Sequence, residues 1–204
     1  ARFTDSVNLK FGTGGDMMLY HDGSNSYLDH TGTGDLYIRQ GQDDKDIIFQ
    51  CDNGSGGLET YFFLDGSSAT GSNEYTVWPD SSNIAIGTGK DLQLYHNGST
   101  SFIYNNTGNL EITNAADDSD IIFKSDDGSG GTTVYFRVDG GDENTRFVKD
   151  LKLSDNVKAL FGGSGDLQIY HDGSNSYIDD SGTGNLKIRS NRLQLEKYTG
   201  ETMA

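Results

Sequence analysis

Apolar and polar residues alternate strictly in several short segments of this chain, and the same segments recur along it. The runs DLYIR, NLEIT and NLKIR begin at Asp35, Asn109 and Asn185. In each run two aliphatic side chains share one face, and Tyr, Glu or Lys lies between them. Alternation with a period of two residues predicts β-strands. Because no window shows the i, i+3, i+4, i+7 apolar spacing of a helix, we expect an all-β fold.

Turn signals separate these runs. Asp-Gly or Asn-Gly follows the apolar run at each of Gly23, Gly98 and Gly173, and this dipeptide between alternating runs predicts β-hairpins in which the glycine takes a positive φ. The loops DNGSGG and DDGSGG join further apolar runs, which begin at Asp46 and Asp120. Strands and turns at this spacing predict about six short strands in each unit.

The pattern is a tandem repeat of 75 residues. The motifs DSVNLKFGTGGD, DSSNIAIGTGKD and DNVKALFGGSGD begin at Asp5, Asp80 and Asp155, and YHDGSNSY is identical at Tyr20 and Tyr170. The repeated DIIF segments are 74 residues apart, because the second copy lacks one residue near NNTGN. This period exceeds that of a common solenoid coil, so each unit is interpreted as a small β-meander.

We divide the chain into repeat 1 (5–79), repeat 2 (80–154), a partial repeat 3 (155–190) and a divergent C-terminal strand or continuation (191–204). Two and a half copies in a chain that begins with Ala rather than Met lead us to expect a segment of something longer.

The composition favours an assembly of chains over a self-contained domain. The 204 residues include 28 Gly and only 33% hydrophobic residues, which is little for a self-sufficient core, yet 11 Tyr and 10 Phe are too many for a disordered chain. Burial is therefore expected to come from stacked repeats or other chains. We infer an elongated fibre in which three copies wrap together.

Charge limits the partners. The formal net charge is -16, from 31 acidic and 15 basic residues. Such a surface repels nucleic-acid phosphates and anionic lipid, and no apolar stretch is long enough to span a bilayer. We therefore expect no nucleic-acid partner and no membrane insertion.

The runs GTGKDLQLYHNGSTSFI and GDLQIYHDGSNSYIDDSGTGNLKIRS, with TGETMA at the end, resemble repeats in tail-fibre and other virion structural proteins of marine bacteriophages. The resemblance covers residues 5–204. It implies an elongated homotrimer, such as a β-prism or a triple-stranded β-helix-like stalk, located in the extracellular virion tail. It also implies a role in host attachment, with other virion tail proteins and a host surface glycan as partners.

Three histidines, His21, His96 and His171, occupy the same position in the three copies. Alternation places each on the face of the Leu or Ile two residues earlier. In a trimer such histidines could meet on the axis and bind a metal or an anion. We favour the alternative that each flanks its turn, donates a hydrogen bond to a loop carbonyl and covers the end of an apolar face.

The acidic glycine-rich loops are candidates for calcium binding, because they place carboxylates among glycines. They fit neither the nonapeptide of a calcium-binding β-roll nor an EF-hand loop. We interpret them as solvated turns and assign no metal-binding residues.

The remaining candidate chemistry is sparse. Cys51 has Ser125 as its counterpart and is expected to be a small apolar filler. The aromatic residues that could stack on sugars are interpreted mainly as core or interface: Tyr27, Phe102, Tyr177, Tyr61, Phe63 and Tyr135.

No catalytic motif is present, and every recurring Asp recurs at a turn or strand start. We therefore expect no enzymatic activity, no catalytic or cofactor-binding residues and no cofactor. The alternatives to a fibre stalk are a carbohydrate-binding or calcium-dependent β-repeat adhesin module and a fragment of a tail-spike depolymerase, which would need paired carboxylates.

Overall fold

The computed structural model describes residues 2–198, and its regular structure is entirely β. The strands are short, except for the fifth, which has 13 residues. They are β1 (Leu9–Phe11), β2 (Met17–His21), β3 (Ser26–His30), β4 (Ile47–Asp52), β5 (Leu58–Thr70), β6 (Asn73–Val77), β7 (Ile84–Ile86), β8 (Leu92–His96), β9 (Ser101–Asn105), β10 (Ile121–Asp126), β11 (Thr132–Asp139), β12 (Asn144–Phe147), β13 (Ala159–Phe161), β14 (Leu167–His171) and β15 (Ser176–Asp180).

Consecutive strands form five separate antiparallel sheets of three strands each: β1-β2-β3, β4-β5-β6, β7-β8-β9, β10-β11-β12 and β13-β14-β15. The all-β prediction is confirmed. The chain divides into two compact units, the first ending at Leu110 and the second beginning at Glu111. The first holds β1–β9 and the second β10–β15. The repeat boundaries proposed from the sequence stay a prediction.

The sheets β1–β3, β7–β9 and β13–β15 share one register. In each, the middle residue of the central strand faces a residue on both neighbours: Leu19 faces Leu9 and Leu28, Leu94 faces Ile84 and Ile103, and Ile169 faces Ala159 and Ile178. Directly opposed apolar side chains each stabilise a sheet by roughly 0.2–1 kcal/mol. These rows give each sheet an aliphatic face, which also carries the histidine that ends the central strand.

An aromatic ladder crosses each of the two remaining sheets. Phe49 stacks on Phe62 at 4.4 Å between ring centroids, and Phe62 contacts Trp78 at 5.5 Å. The equivalent distances in the other sheet are 4.3 Å for Phe123–Phe136 and 5.8 Å for Phe136–Phe147. Each such pair contributes about 0.5–1.5 kcal/mol beyond its buried area. A β-bulge follows Phe49 and Phe123, so the strand register shifts directly after each stacked phenylalanine pair.

The sheets have no second layer on their faces. Among the described residues no hydrophobic side chain is buried, and Asp139, at 8% exposure, is the one buried polar residue. Ile103 and Ile178, on the outer strands of two aliphatic faces, are 65% and 60% exposed. A sheet with an apolar face ordinarily buries it against another element. Within residues 2–198 that burial is missing.

Three predicted strands are not strands. The alternating segments 35–39, 109–113 and 185–189 form no ladder, and their backbones make no hydrogen bond to any other residue that the structure describes. The prediction was wrong because alternation reports a fit to a half-buried pleated surface, whereas a strand also requires a neighbouring strand.

Residues 191–198 of the predicted C-terminal strand or continuation form no strand. The rest of that prediction, with the TGETMA segment, lies at residues 199–204, outside the described part.

The hairpin predictions are confirmed. The turns β2–β3, β8–β9 and β14–β15 place Gly23, Gly98 and Gly173 at φ of 101°, 91° and 95°. The serine that follows each glycine has no positive φ, so only the first central residue of the turn is left-handed. This is the φ pattern of a type II′ hairpin turn, in which glycine is required at that position.

We expect Gly98→Val to lower the stability by roughly 1 kcal/mol or more, because a β-branched residue is strained at positive φ. A Cβ there would meet nothing closer than Asp80 Oδ2 at 3.5 Å, so the cost is conformational. The control is Gly163→Val, where φ is not positive and no heavy atom lies within 4 Å. Its counterparts in the other copies are the β-branched Thr13 and Thr88. Thermal unfolding measures both, and an unchanged melting temperature for Gly98→Val would contradict the assignment.

Candidate functional site

A histidine and a serine face each other at the start of the β2–β3, β8–β9 and β14–β15 turns. His21, His96 and His171 lie opposite Ser26, Ser101 and Ser176 in the ladders, and the ring Nδ1 is 3.1, 3.0 and 3.1 Å from the serine Oγ. The predicted turn-flanking position is correct, but the side-chain partner is the hydroxyl rather than a loop carbonyl. Each histidine lies on the aliphatic face, as alternation predicted. A meeting of histidines from three chains stays a prediction.

The third pair lies in a groove of its unit. The segment that precedes β13 lines a cavity of about 540 Å³ together with His171, Ser176 and the aliphatic face. The segment contributes Leu151, Leu153 and Val157. These side chains leave the face partly open, because Ile178 remains 60% exposed.

The turn itself is organised by one carboxylate. Asp172 Oδ1 accepts hydrogen bonds from the backbone N–H groups of Ser174 and Asn175 at 2.8 and 2.7 Å. Its Oδ2 accepts one from the Tyr177 hydroxyl at 2.8 Å. Asp22 makes the same three bonds with Ser24, Asn25 and Tyr27. A side-chain oxygen thus does what the main-chain carbonyl of a turn usually does.

The middle copy shows which part of this arrangement needs charge. Asn97 Oδ1 accepts from the N–H groups of Ser99 and Thr100 at 3.0 and 2.9 Å, so a neutral amide caps the turn equally well. Where Asp becomes Asn, the tyrosine becomes Phe102, which has no hydroxyl to donate. In the two copies with Asp, the second carboxylate oxygen accepts a hydrogen bond from the tyrosine hydroxyl. The signal for this pairing is in the amino-acid sequence, since both positions change in the same copy.

These bonds favour the ionised carboxylate. The backbone N–H of Asn175, the hydroxyl of Tyr177 and the N–H of Ser174 lower the pKa of Asp172 to about 2. The N–H groups of Asn25 and Ser24 and the Tyr27 hydroxyl lower the pKa of Asp22 in the same way. The carboxylate beside it raises the pKa of Tyr177.

In the longer glycine loops, polar side chains accept hydrogen bonds from the backbone of the same loop. Asp52 accepts hydrogen bonds from the N–H groups of Gly54 and Gly56, at 2.8 and 3.2 Å. Asn53 Oδ1 accepts from those of Ser55 and Gly57, at 2.9 and 3.1 Å. In the second copy Asp127 Oδ1 binds Ser129 and Gly131 as Asn53 binds its partners. Since Asn and Asp make the same bonds, the turn does not depend on the charge.

No group of three or more potential metal-binding His, Cys, Asp or Glu side chains occurs within residues 2–198. In the same range no helix has the length and apolar character needed to cross a membrane.

The aromatic candidates for sugar stacking have neighbours on the sheets. Tyr27, Phe102 and Tyr177 each stack on an aromatic residue across the hairpin, at centroid distances of 4.7, 4.8 and 4.7 Å. The hydroxyls of Tyr61 and Tyr135 donate to the carbonyls of Asp52 and Asp126, which close the glycine loops. Phe63 lies opposite Ile48 and Val77. These positions are accounted for by sheet and loop structure.

Cys51 departs from its predicted role. It lies on β4 and is exposed, so it fills no apolar space in this chain. The strand has no second layer that could create such a space.

Comparison with protein-family models, with curated proteins and with solved structures gives no match to this chain.

We expect Asp172 to titrate near pH 2 in the folded protein, below its usual value of 3.8. Because the folded pKa is lowered, the stabilisation by the ionised group is present above about pH 4 and is lost as the pH falls toward 2. Carboxyl NMR titration measures this directly. At neutral pH Asp172→Ala should lower the melting temperature, whereas Asp172→Asn should retain most of it, as Asn97 does. A pKa of 3.8 would contradict the role of the three bonds.

We expect EDTA to change the melting temperature by less than a few degrees, because the loop carboxylates already accept hydrogen bonds from their own backbone. Ligand that binds only the folded state stabilises by mass action, so a calcium site would show itself as a large drop on chelation. Restoration by Ca²⁺ and not by Mg²⁺ would then favour the adhesin alternative.

Proposed function

We propose that this chain is a structural segment of a bacteriophage tail fibre, acting as a repetitive β-rich stalk of the host-attachment apparatus. It works as an elongated homotrimer in the extracellular virion tail, beside other virion tail proteins, and it has no enzymatic activity. Two lines support the proposal. The first is the resemblance of the YHDGSNSY and GTGNLKI repeats to virion structural proteins. The second, which carries the proposal, is the amount of accessible surface that a single chain leaves open, many large hydrophobic side chains included.

The accessible surface of the chain is larger than that expected of a compact monomer of the same mass. The chain exposes 16820 Å² at a mass of 22.2 kDa. A compact monomer of this mass would expose about 9,400 Å², and even two independent domains of half the mass would expose about 11,300 Å² in total. The accessible surface of the chain exceeds even the two-domain value by roughly 5,000 Å². A standard interface buries about 800 Å² on each partner, whereas obligate assemblies bury several thousand in total.

The free sheet edges favour association around the whole chain rather than through one patch. Each of the five sheets has two outer strands, and no further strand is paired with them in the described residues. Uncovered edges pair readily with other chains, so a stable protein must close or cover them. Three-fold wrapping gives each chain two neighbours along its length. It also lets one unit repeat, because every copy meets the same surroundings.

The alternative function is a carbohydrate-binding or calcium-dependent β-repeat adhesin module. The acidic glycine loops suggest it. In both loops the side-chain oxygens are bonded to the loop's own N–H groups, and Asn53 stands where the second copy has Asp127. A loop built for Ca²⁺ would direct these oxygens at the ion. This arrangement favours the stalk.

We expect the protein in solution to have about three times the mass of the 22.2 kDa chain. Multi-angle light scattering measures this mass independently of shape. Sedimentation velocity should give a frictional ratio well above that of a compact globule. Absence of reducing-sugar release from host polysaccharide would separate the stalk from a depolymerase fragment.

A compact monomer with a β-type circular dichroism spectrum would contradict the stalk and favour a binding module. A stable dimer would retain self-association but overturn the three-fold arrangement.

A further inference from the structure

We propose that the three alternating segments that lack a ladder, residues 35–39, 109–113 and 185–189, become β-strands by adding to the sheet edges of a second copy of this chain. We call them the pairing segments. The inference rests on the proposed self-association and adds to it the part of the chain that makes the backbone contacts between copies.

The pairing segments have the side-chain pattern of strands and none of the hydrogen bonds. In each of them Leu and Ile lie two residues apart, so both point to one face. No backbone N–H or C=O of the three segments bonds to another residue in the described part of the chain. Their donors and acceptors are therefore available to a neighbouring strand.

The aliphatic side chains of the pairing segments are exposed to solvent. The exposed fractions are 43% and 57% for Leu36 and Ile38, 46% and 60% for Leu110 and Ile112, and 46% and 64% for Leu186 and Ile188. One exposed aliphatic residue is ordinary on a protein surface, but six at equivalent places in three segments form a recurring feature.

The first pairing segment lies beside an apolar wall that a further strand could extend. Ile38 lines a groove of about 720 Å³ with Ile47 and Leu64, which face each other across β4 and β5. Ile38 of the segment thus adjoins the open face of a sheet.

Three observations identify the occupant as another copy of the chain. The chain carries the complementary element itself, since every one of its sheets ends in an unpaired outer strand. The excess accessible surface matches an obligate assembly better than one transient partner.

Charge gives the third observation. The chain carries a net charge of -16, so its copies repel each other over most of their surface. In the pairing segments two acidic residues, Asp35 and Glu111, are offset by Arg39, Lys187 and Arg189. Contact between copies meets the least repulsion there.

Hydrogen exchange tests the proposal on the full chain, at a concentration where light scattering reports its mass. We expect the amides of residues 36–39 to exchange at least about 100-fold more slowly than unstructured amides, because each strand bond must open first. The neighbouring loop residues 41–44 supply the internal reference and should exchange fast.

A pair of variants separates the aliphatic face from the opposite one. Leu36→Ser with Ile38→Ser should speed exchange in residues 36–39 and lower the melting temperature by about 5 °C or more. Tyr37→Ser is the control, because Tyr37 lies on the opposite face and is 69% exposed. It should leave exchange in the segment unchanged.

The outcomes distinguish the two proposals. A trimer with protected segments supports both. A trimer in which residues 36–39 exchange as fast as the loop overturns the pairing inference and leaves the stalk intact. A monomer overturns the self-association and the pairing inference with it.

Discussion

The structure depends on one constraint, which is that every sheet is three strands wide and no other described sheet packs on its faces. Isolated small sheets are marginal in water, because they order the backbone without burying much apolar surface. No hydrophobic side chain in the described residues is buried, although many are large. The interactions that hold each sheet are local, and among the described residues none buries its faces.

The local interactions are of two kinds, and both recur. Stacked aromatic pairs and ladders tie neighbouring strands together across all five sheets, from Tyr20–Tyr27 to Tyr170–Tyr177. Side-chain oxygens cap the turns, either Asp or Asn, with the same N–H partners. Such contacts define strand register and loop shape where they occur, but they contribute little free energy to holding separate sheets together.

The proposed fibre stalk would make use of this arrangement. A repeated unit with open faces and edges is a liability in a monomer, since exposed edges aggregate. In a closed assembly the same faces and edges become the interface, and each repeat adds the same contacts as the last. The acidic surface is consistent with this organisation, because repulsion would keep whole assemblies apart in solution. The proposed pairing segments are nearly neutral.

The sequence by itself determined the all-β class, the hairpins and the residues at their turns, because these depend on neighbours close along the chain. The Asp-Gly or Asn-Gly dipeptide before Ser places Gly23, Gly98 and Gly173 at positive φ. The tertiary structure decided what lay opposite each element. Leu36 and Ile38 have the pattern of a strand but no partner strand, and Cys51 is exposed because no layer covers β4. The alternation of apolar residues shows which face of a segment could be buried. Only the fold shows whether the same chain supplies a surface that buries that face.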